Sequence, residues 1–154
     1  DIALVVGVDG RVLARAQRPL AARYPHPGWI EQDPEEMWTS AQDVLREALA
    51  ASRLGARAIA GLGVVTQRGT ALAWDARTLA PLAPAQSWQD QRTAERVAGF
   101  RAAGIPINTL ATATKFEWWM KNDDAVQAAA REKRLRFGTP DAWLAARLSR
   151  GRCT

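Results

Sequence analysis

A chain of 154 residues, 47% of them hydrophobic, has the length and apolar content for one folded domain with a core, which excludes a disordered class. Its net charge of +5 comes mostly from scattered arginines. The denser groups, Arg131/Lys133/Arg134/Arg136 and Arg147/Arg150/Arg152, fall near expected helix ends, where cations meet the negative end of the helix dipole, so no nucleic-acid partner is expected. No run of eighteen uncharged apolar residues occurs and the first residues lack a secretory pattern, so a soluble cytoplasmic protein without a membrane partner is expected.

Ile2 to Val8 and Val12 to Gln17 read as two strands of a hairpin turned at Asp9-Gly10. Arg18 to Gln32 is rich in proline and glycine and reads as an irregular connection pinned by Tyr24 and Trp29. His26 lies there between two prolines and is poorly placed as a general base. Asp33 as cap, Pro34 in the first helical position and Glu36 mark a helix start. Met37, Trp38, Ala41, Val44, Leu45, Ala48 and Leu49 then form one apolar stripe as far as about Ser52. Ala58 to Val65 is apolar throughout and predicts a buried strand, which needs helices over both faces and so points to an α/β fold.

A short strand follows at Ala71 to Trp74, then a helix at Thr93 to Phe100 with Ala94, Val97 and Ala98 inward. Ile105 to Asn108 is a connection. Thr114 to Lys121 reads as a helix buried along Phe116, Trp119 and Met120, an aromatic group that reads as core rather than as a cofactor pocket. Ala125 to Lys133 is another helix and Leu135 to Phe137 a small strand. Thr139 as cap and Pro140 start the last helix, with Trp143, Leu144 and Leu148 inward.

Between the two central strands stands the polar tetrad Thr66, Gln67, Arg68 and Gly69, and twenty residues after Arg68 come Trp88, Gln89 and Asp90. Polar groups at a strand end commonly face a cleft. A guanidinium fork, a carboxylate and an indole suit a polyhydroxylated carbon skeleton: Arg and Asp hold hydroxyls in fixed geometry, and the Trp face covers the C–H side. A surface turn with an ordinary arginine has the same spacing. No phosphate loop with Lys-Ser/Thr, no G-x-G-x-x-G after a strand, no metal-ligand cluster and no nucleophile elbow occurs. The single cysteine, Cys153, has no partner for a disulfide or a thiolate metal site.

Taken in order, YPHPGWIEQDPEEMW (24–38), TQRGTALAWD (66–75), SWQDQRTAE (87–95), ATKFEWW (113–119) and RFGTPDAWLAARLSRG (136–151) resemble the N-terminal domain of the FGGY carbohydrate kinases, nearest in motifs to the glycerol kinases. The resemblance implies a ribonuclease-H-like, actin-like ATPase fold with a mixed sheet flanked by helices. It also implies ATP- and Mg²⁺-dependent phosphorylation of a sugar or polyol hydroxyl. On this footing residues 1–154 are part of the sugar-binding domain, and the nucleotide-binding domain is absent. Arg68 matches the family arginine that binds substrate hydroxyls and Trp88 the tryptophan that packs on the substrate's carbons, while Gln67, Gly69 and Asp90 shape the pocket. A homo-oligomer is compatible with the sequence, which does not fix the oligomeric state.

The chain departs from the glycerol-kinase pattern in three places. Gly69 stands where a glutamate binds glycerol, and Leu110 where a tyrosine is expected, so two hydroxyl-binding groups of about 1 kcal/mol each are lost. Glycerol is thereby disfavoured against a longer polyol or a sugar in a larger, partly apolar pocket. The phosphate-contacting loop D-x-G-T-T/S-S-x-R is also missing; Asp1-Ile2 reads as a remnant of its start, with the loop disordered or deleted before Ala3. No catalytic residue is expected in this piece, and an alternative is a non-catalytic sugar-binding homologue without that loop.

Overall fold

The computed structural model describes residues 1–65 and 67–152. Thr66, the first residue of the polar tetrad, and Cys153 lie outside them. Within the length expected of one domain the chain packs as two compact units: residues 1–21 with 35–63, and residues 22–34 with 64–154.

In the first unit, β1 (Ile2–Val6) and β2 (Val12–Gln17) pair antiparallel, with Ile2 opposite Gln17 and Leu4 opposite Arg15. The register shifts between Val5 and Val6, and the connection is a longer turn than the two residues expected: Gly7 N donates to Arg11 O at 2.8 Å, with Gly10 at φ +82° inside it. Ala3, Val5 and Ala16 pack against Val44, Leu45 and Ala48 of α1 (Pro34–Ser52), whose buried stripe is the one the spacing predicts. Arg18 reaches Asp43 and Glu47 on the same helix, tying the strand end to it. Asp1 exchanges backbone hydrogen bonds with Arg18, N to O at 2.7 Å and O from N at 3.0 Å. It therefore prolongs the ladder, in which Ile2 and Ala3 are consecutive strand residues.

The buried strand expected at 58–65 does not form. Ala56–Ala58 is a single 3₁₀ turn, and the residues after it pair with no strand among the described residues. Leu62 is more than half exposed and Val65 almost wholly so. A strand apolar on both faces is stable only with paired neighbours and covering side chains, and Gly61 and Gly63 add no packing surface of their own.

The second unit is built on β4 (Leu72–Asp75), every residue of which is buried. It pairs antiparallel with β6 (Leu135–Gly138). Just before β4, Ala71 exchanges two 3.0 Å hydrogen bonds with Gln86 of β5 (Ala85–Gln86), which in turn pairs with β3 (Glu31–Gln32). The helices are α2 (Ala94–Ala102), α3 (Thr112–Asn122), α4 (Asp124–Arg131) and α5 (Pro140–Leu148). Asp123 caps α4 by accepting from Val126 N at 3.0 Å. The core gathers Ala71, Ala73, Trp119 and Val126, with Phe116 and Phe137 stacked at 4.3 Å and Trp119 nearly parallel to Phe137.

Several inward assignments change. Met120, Leu148, Ala94 and Ala98 are exposed, and α3 buries Thr114, Lys115 and Trp119 instead. Tyr24 is exposed and pins nothing, whereas Trp29 packs edge-on against Trp118 at 5.2 Å. Asp75 closes the turn after β4 by accepting from Arg77 N and Thr78 N, with Arg134 on its other oxygen; these bonds lower its pKa from 3.8 to about 2, the backbone donors foremost.

Gly138 is required by packing rather than by backbone angle, since a Cβ there would stand 2.6 Å from the Trp74 ring. We expect Gly138→Ala to lower stability by about 1–3 kcal/mol, the usual cost of overpacking, read as a lower urea midpoint with unchanged m-value.

Candidate functional site: two turns at the end of one bridge

The Ala71–Gln86 bridge sets two polar turns side by side, residues 67–70 entering β4 and residues 87–90 leaving β5. Gln67 and Arg68 are exposed on the first. On the second, Trp88 keeps 46% of its surface accessible, a large exposure for an indole and what a platform for a ligand requires. Of the residues expected to bind substrate, Gln67, Arg68 and Trp88 are thus accessible on adjacent turns.

Asp90 is not. It is fully buried, and its carboxylate takes four hydrogen bonds: Oδ1 from Arg92 N and Nε, each at 2.9 Å, and Oδ2 from Ile30 N at 2.7 Å and Arg92 Nη2 at 2.8 Å. That exhausts the four lone-pair directions of a carboxylate, leaving none for a ligand hydroxyl. Asp90 braces the second turn from within. Arg92, its side chain 2% exposed, also reaches Glu31 at 2.8 Å and lies over the rings of Trp29 at 4.0 Å and Trp118 at 4.8 Å.

Gly69 is buried at φ +81°, in the left-handed region that favours glycine. A Cβ on it would come within 3.0 Å of Leu110 Cδ2 and O and 3.1 Å of its Cα. Two of the three places at which the chain departs from the glycerol-kinase pattern, Gly69 and Leu110, are therefore in contact with each other. Leu110 fills the space beside Gly69.

Two supporting residues escaped the sequence reading. The Thr70 hydroxyl donates to Gln67 Oε1 at 3.0 Å and accepts from Trp88 N at 3.1 Å. Lys115 of α3 is fully buried, and its Nζ donates to Gly69 O at 2.5 Å and Ser87 O at 2.6 Å. Burial is the main cause that lowers its pKa to about 8, with Asp90 opposing and Arg92 assisting, so at pH 7 it is mainly the ammonium ion. A lysine within the Thr-Lys-Phe-Glu-Trp-Trp stretch looks solvent-facing until the helical phase puts it beside Trp119; that four-residue spacing was the available signal.

A groove of about 430 Å³ between α2 and α3 is lined by Arg92, Thr93, Arg96, Thr114, Glu117 and Lys121 among others. Glu117 pairs there with both Arg96 and Lys121. Among the described residues no group of three or more His, Cys, Asp or Glu side chains could hold a metal ion, and no helix is long and apolar enough to cross a membrane.

Residues 2–154 match the family model described as "FGGY family of carbohydrate kinases, N-terminal domain". The glycerol kinase of Ectopseudomonas mendocina (strain ymp) is 39% identical over 160 residues, covering 97% of this chain and 32% of that protein. The crystal structure of Plasmodium falciparum glycerol kinase with ADP superposes with a TM-score of 0.88 at 24% identity, over 99% of this chain and 32% of that one. The xylulose kinase of Rhodospirillum rubrum gives 0.75 at 25% identity, over 94% and 31%. The chain thus spans about a third of the length of the relatives it matches. The fold is that of these kinases, an actin-like ATPase architecture, and with the family match running from Ile2 to the last residue, this chain belongs to the FGGY family of carbohydrate kinases.

Proposed function

We propose that the protein carrying these residues is a cytoplasmic kinase that transfers the γ-phosphoryl group of ATP to a hydroxyl of a sugar or polyol, and that residues 67–70 and 87–90 are one wall of its acceptor site. The observation that carries this reading is the bridge-paired placement of Arg68, Gln67 and the half-exposed Trp88 ring on neighbouring turns. Arg68 would hold acceptor hydroxyls through its fixed fork, and Trp88 would cover the carbon face. Such contacts fix the hydroxyl for in-line attack, which is most of what a protein contributes to phosphoryl transfer.

The residues described here do not fit ATP and Mg²⁺. They include no acidic cluster and no glycine-rich phosphate loop, so those groups belong to the remainder of the proposed enzyme, and the 154 residues alone would not turn over ATP. When bound, Mg²⁺-ATP supplies the transferred group and neutralises its charge.

The Gly69–Leu110 contact favours an acceptor other than glycerol. A glutamate at position 69 would have to adopt the left-handed backbone and displace Leu110, and neither residue here offers a side-chain hydrogen bond to a small triol. An acceptor of four or more carbons can use Arg68 and Trp88 while laying a C–H edge against Leu110. The test is ATP turnover by the enzyme that carries this domain, with glycerol, erythritol, xylitol, D-xylulose and L-ribulose as acceptors. Turnover fastest with a four- or five-carbon acceptor supports the reading. Binding of an acceptor with no ATP turnover at all favours a non-catalytic sugar-binding homologue.

A further inference from the structure

Lys115 lies beneath the acceptor wall and touches it through two backbone carbonyls, while Thr70, the buried last residue of the first turn, braces it through the Gln67 side chain and the Trp88 N–H. The Ser87–Trp88 peptide unit is held at both polar atoms: its carbonyl by Lys115 Nζ at 2.6 Å and its N–H by Thr70 Oγ1 at 3.1 Å. The Gly69–Thr70 peptide unit is held likewise, its carbonyl by the same ammonium at 2.5 Å and its N–H by Gln67 O at 3.2 Å. One buried cation thus joins the residue after Arg68 to the residue before Trp88, and one hydroxyl joins Gln67 to Trp88. An ammonium removed from water is costly to maintain, and its hydrogen bonds to two carbonyls are what offset that cost. Its charged neighbours are the buried Asp90 and Arg92, and Glu31 through Arg92, all engaged with one another.

We infer that Lys115 and Thr70 are positioning residues for acceptor binding: they fix the orientation of the peptide units that aim Trp88 and Arg68, and so set the width of the acceptor wall. The inference rests on the acceptor-wall reading above. Both side chains are fully buried and act on a ligand only through the turns they hold, so their loss weakens binding of the acceptor in ground and transition states alike, which raises KM and spares kcat.

The test uses the enzyme carrying this domain, its best acceptor from the panel above, and the variants Lys115→Met, Thr70→Val and Arg68→Ala. We expect the acceptor KM to rise about tenfold or more in K115M and several-fold in the near-isosteric T70V, with kcat and the KM for ATP unchanged within about threefold, the tenfold change being that of one hydrogen bond to a charged group. A solely structural role would lower the thermal midpoint and leave KM alone. Unchanged acceptor KM in K115M and T70V, with a raised KM in R68A, overturns the positioning role and leaves the wall intact. Unchanged KM in all three overturns both. If K115M does not fold, T70V decides by the same criteria, because it removes the Trp88 N–H partner and keeps the side chain's volume.

Discussion

Arg92→Met is expected to destabilise the second unit by about 3–5 kcal/mol, the usual cost of breaking a buried ion pair by removing one partner. The substitution nearly conserves length but leaves Asp90, 0% exposed, with only two backbone donors, Ile30 N and the N–H of residue 92, and no guanidinium beside it. It also strips Glu31 of its partner and removes the cation stacked between Trp29 and Trp118. Urea unfolding followed by tryptophan fluorescence at neutral pH measures the effect. A loss below about 1 kcal/mol would mean that water reaches Asp90 and that the wall is not braced by a dry ion pair. The companion Asp90→Asn should also destabilise while leaving the acceptor surface chemically unchanged, because the carboxylate faces inward.

Trp119→Ala is the second large effect, with an expected loss of about 3–5 kcal/mol from lost transfer energy and the cavity left behind. Trp119 is 1% exposed, lies 6.2 Å from Phe137 and 6.3 Å from Phe116, and packs in the core beneath β4. Lys115 stands four residues earlier on the same face of the same helix, and both side chains are buried. The variant should therefore lose stability and acceptor affinity together, whereas Gly138→Ala, across β4 at Trp74, should lose stability alone. Comparing urea midpoints with acceptor KM for the two variants separates these outcomes.

The outline of the site was legible in the sequence because its parts carry chemistry on their surfaces. Arg68 stands just before the strand read at Ala71 to Trp74, Trp88 lies in a polar stretch that offers an indole and an arginine's partner chemistry, and the α1 stripe follows helical spacing. The supports were not legible. Asp90 has the composition of a ligand-binding carboxylate, and only the three-dimensional placement of Arg92 and Ile30 shows that all its lone pairs are used. Gly69 and Leu110 are forty-one residues apart in the sequence, so their contact could not be inferred from either. The segment 58–65 failed for the converse reason. Its composition specifies a strand, but a strand is a property of paired chains, and among the described residues nothing pairs with it.

Residues 67–70 and 87–90 are proposed to bind the acceptor. Arg68→Ala tests this most directly, since Arg68 is exposed and its loss should leave the fold intact. Steady-state kinetics of the enzyme carrying this domain should show kcat/KM for the acceptor reduced about 10²-fold or more, as expected for one or two hydrogen bonds to a charged group, with the KM for ATP and the thermal midpoint unchanged. An acceptor kcat/KM within threefold of the parent enzyme would contradict it.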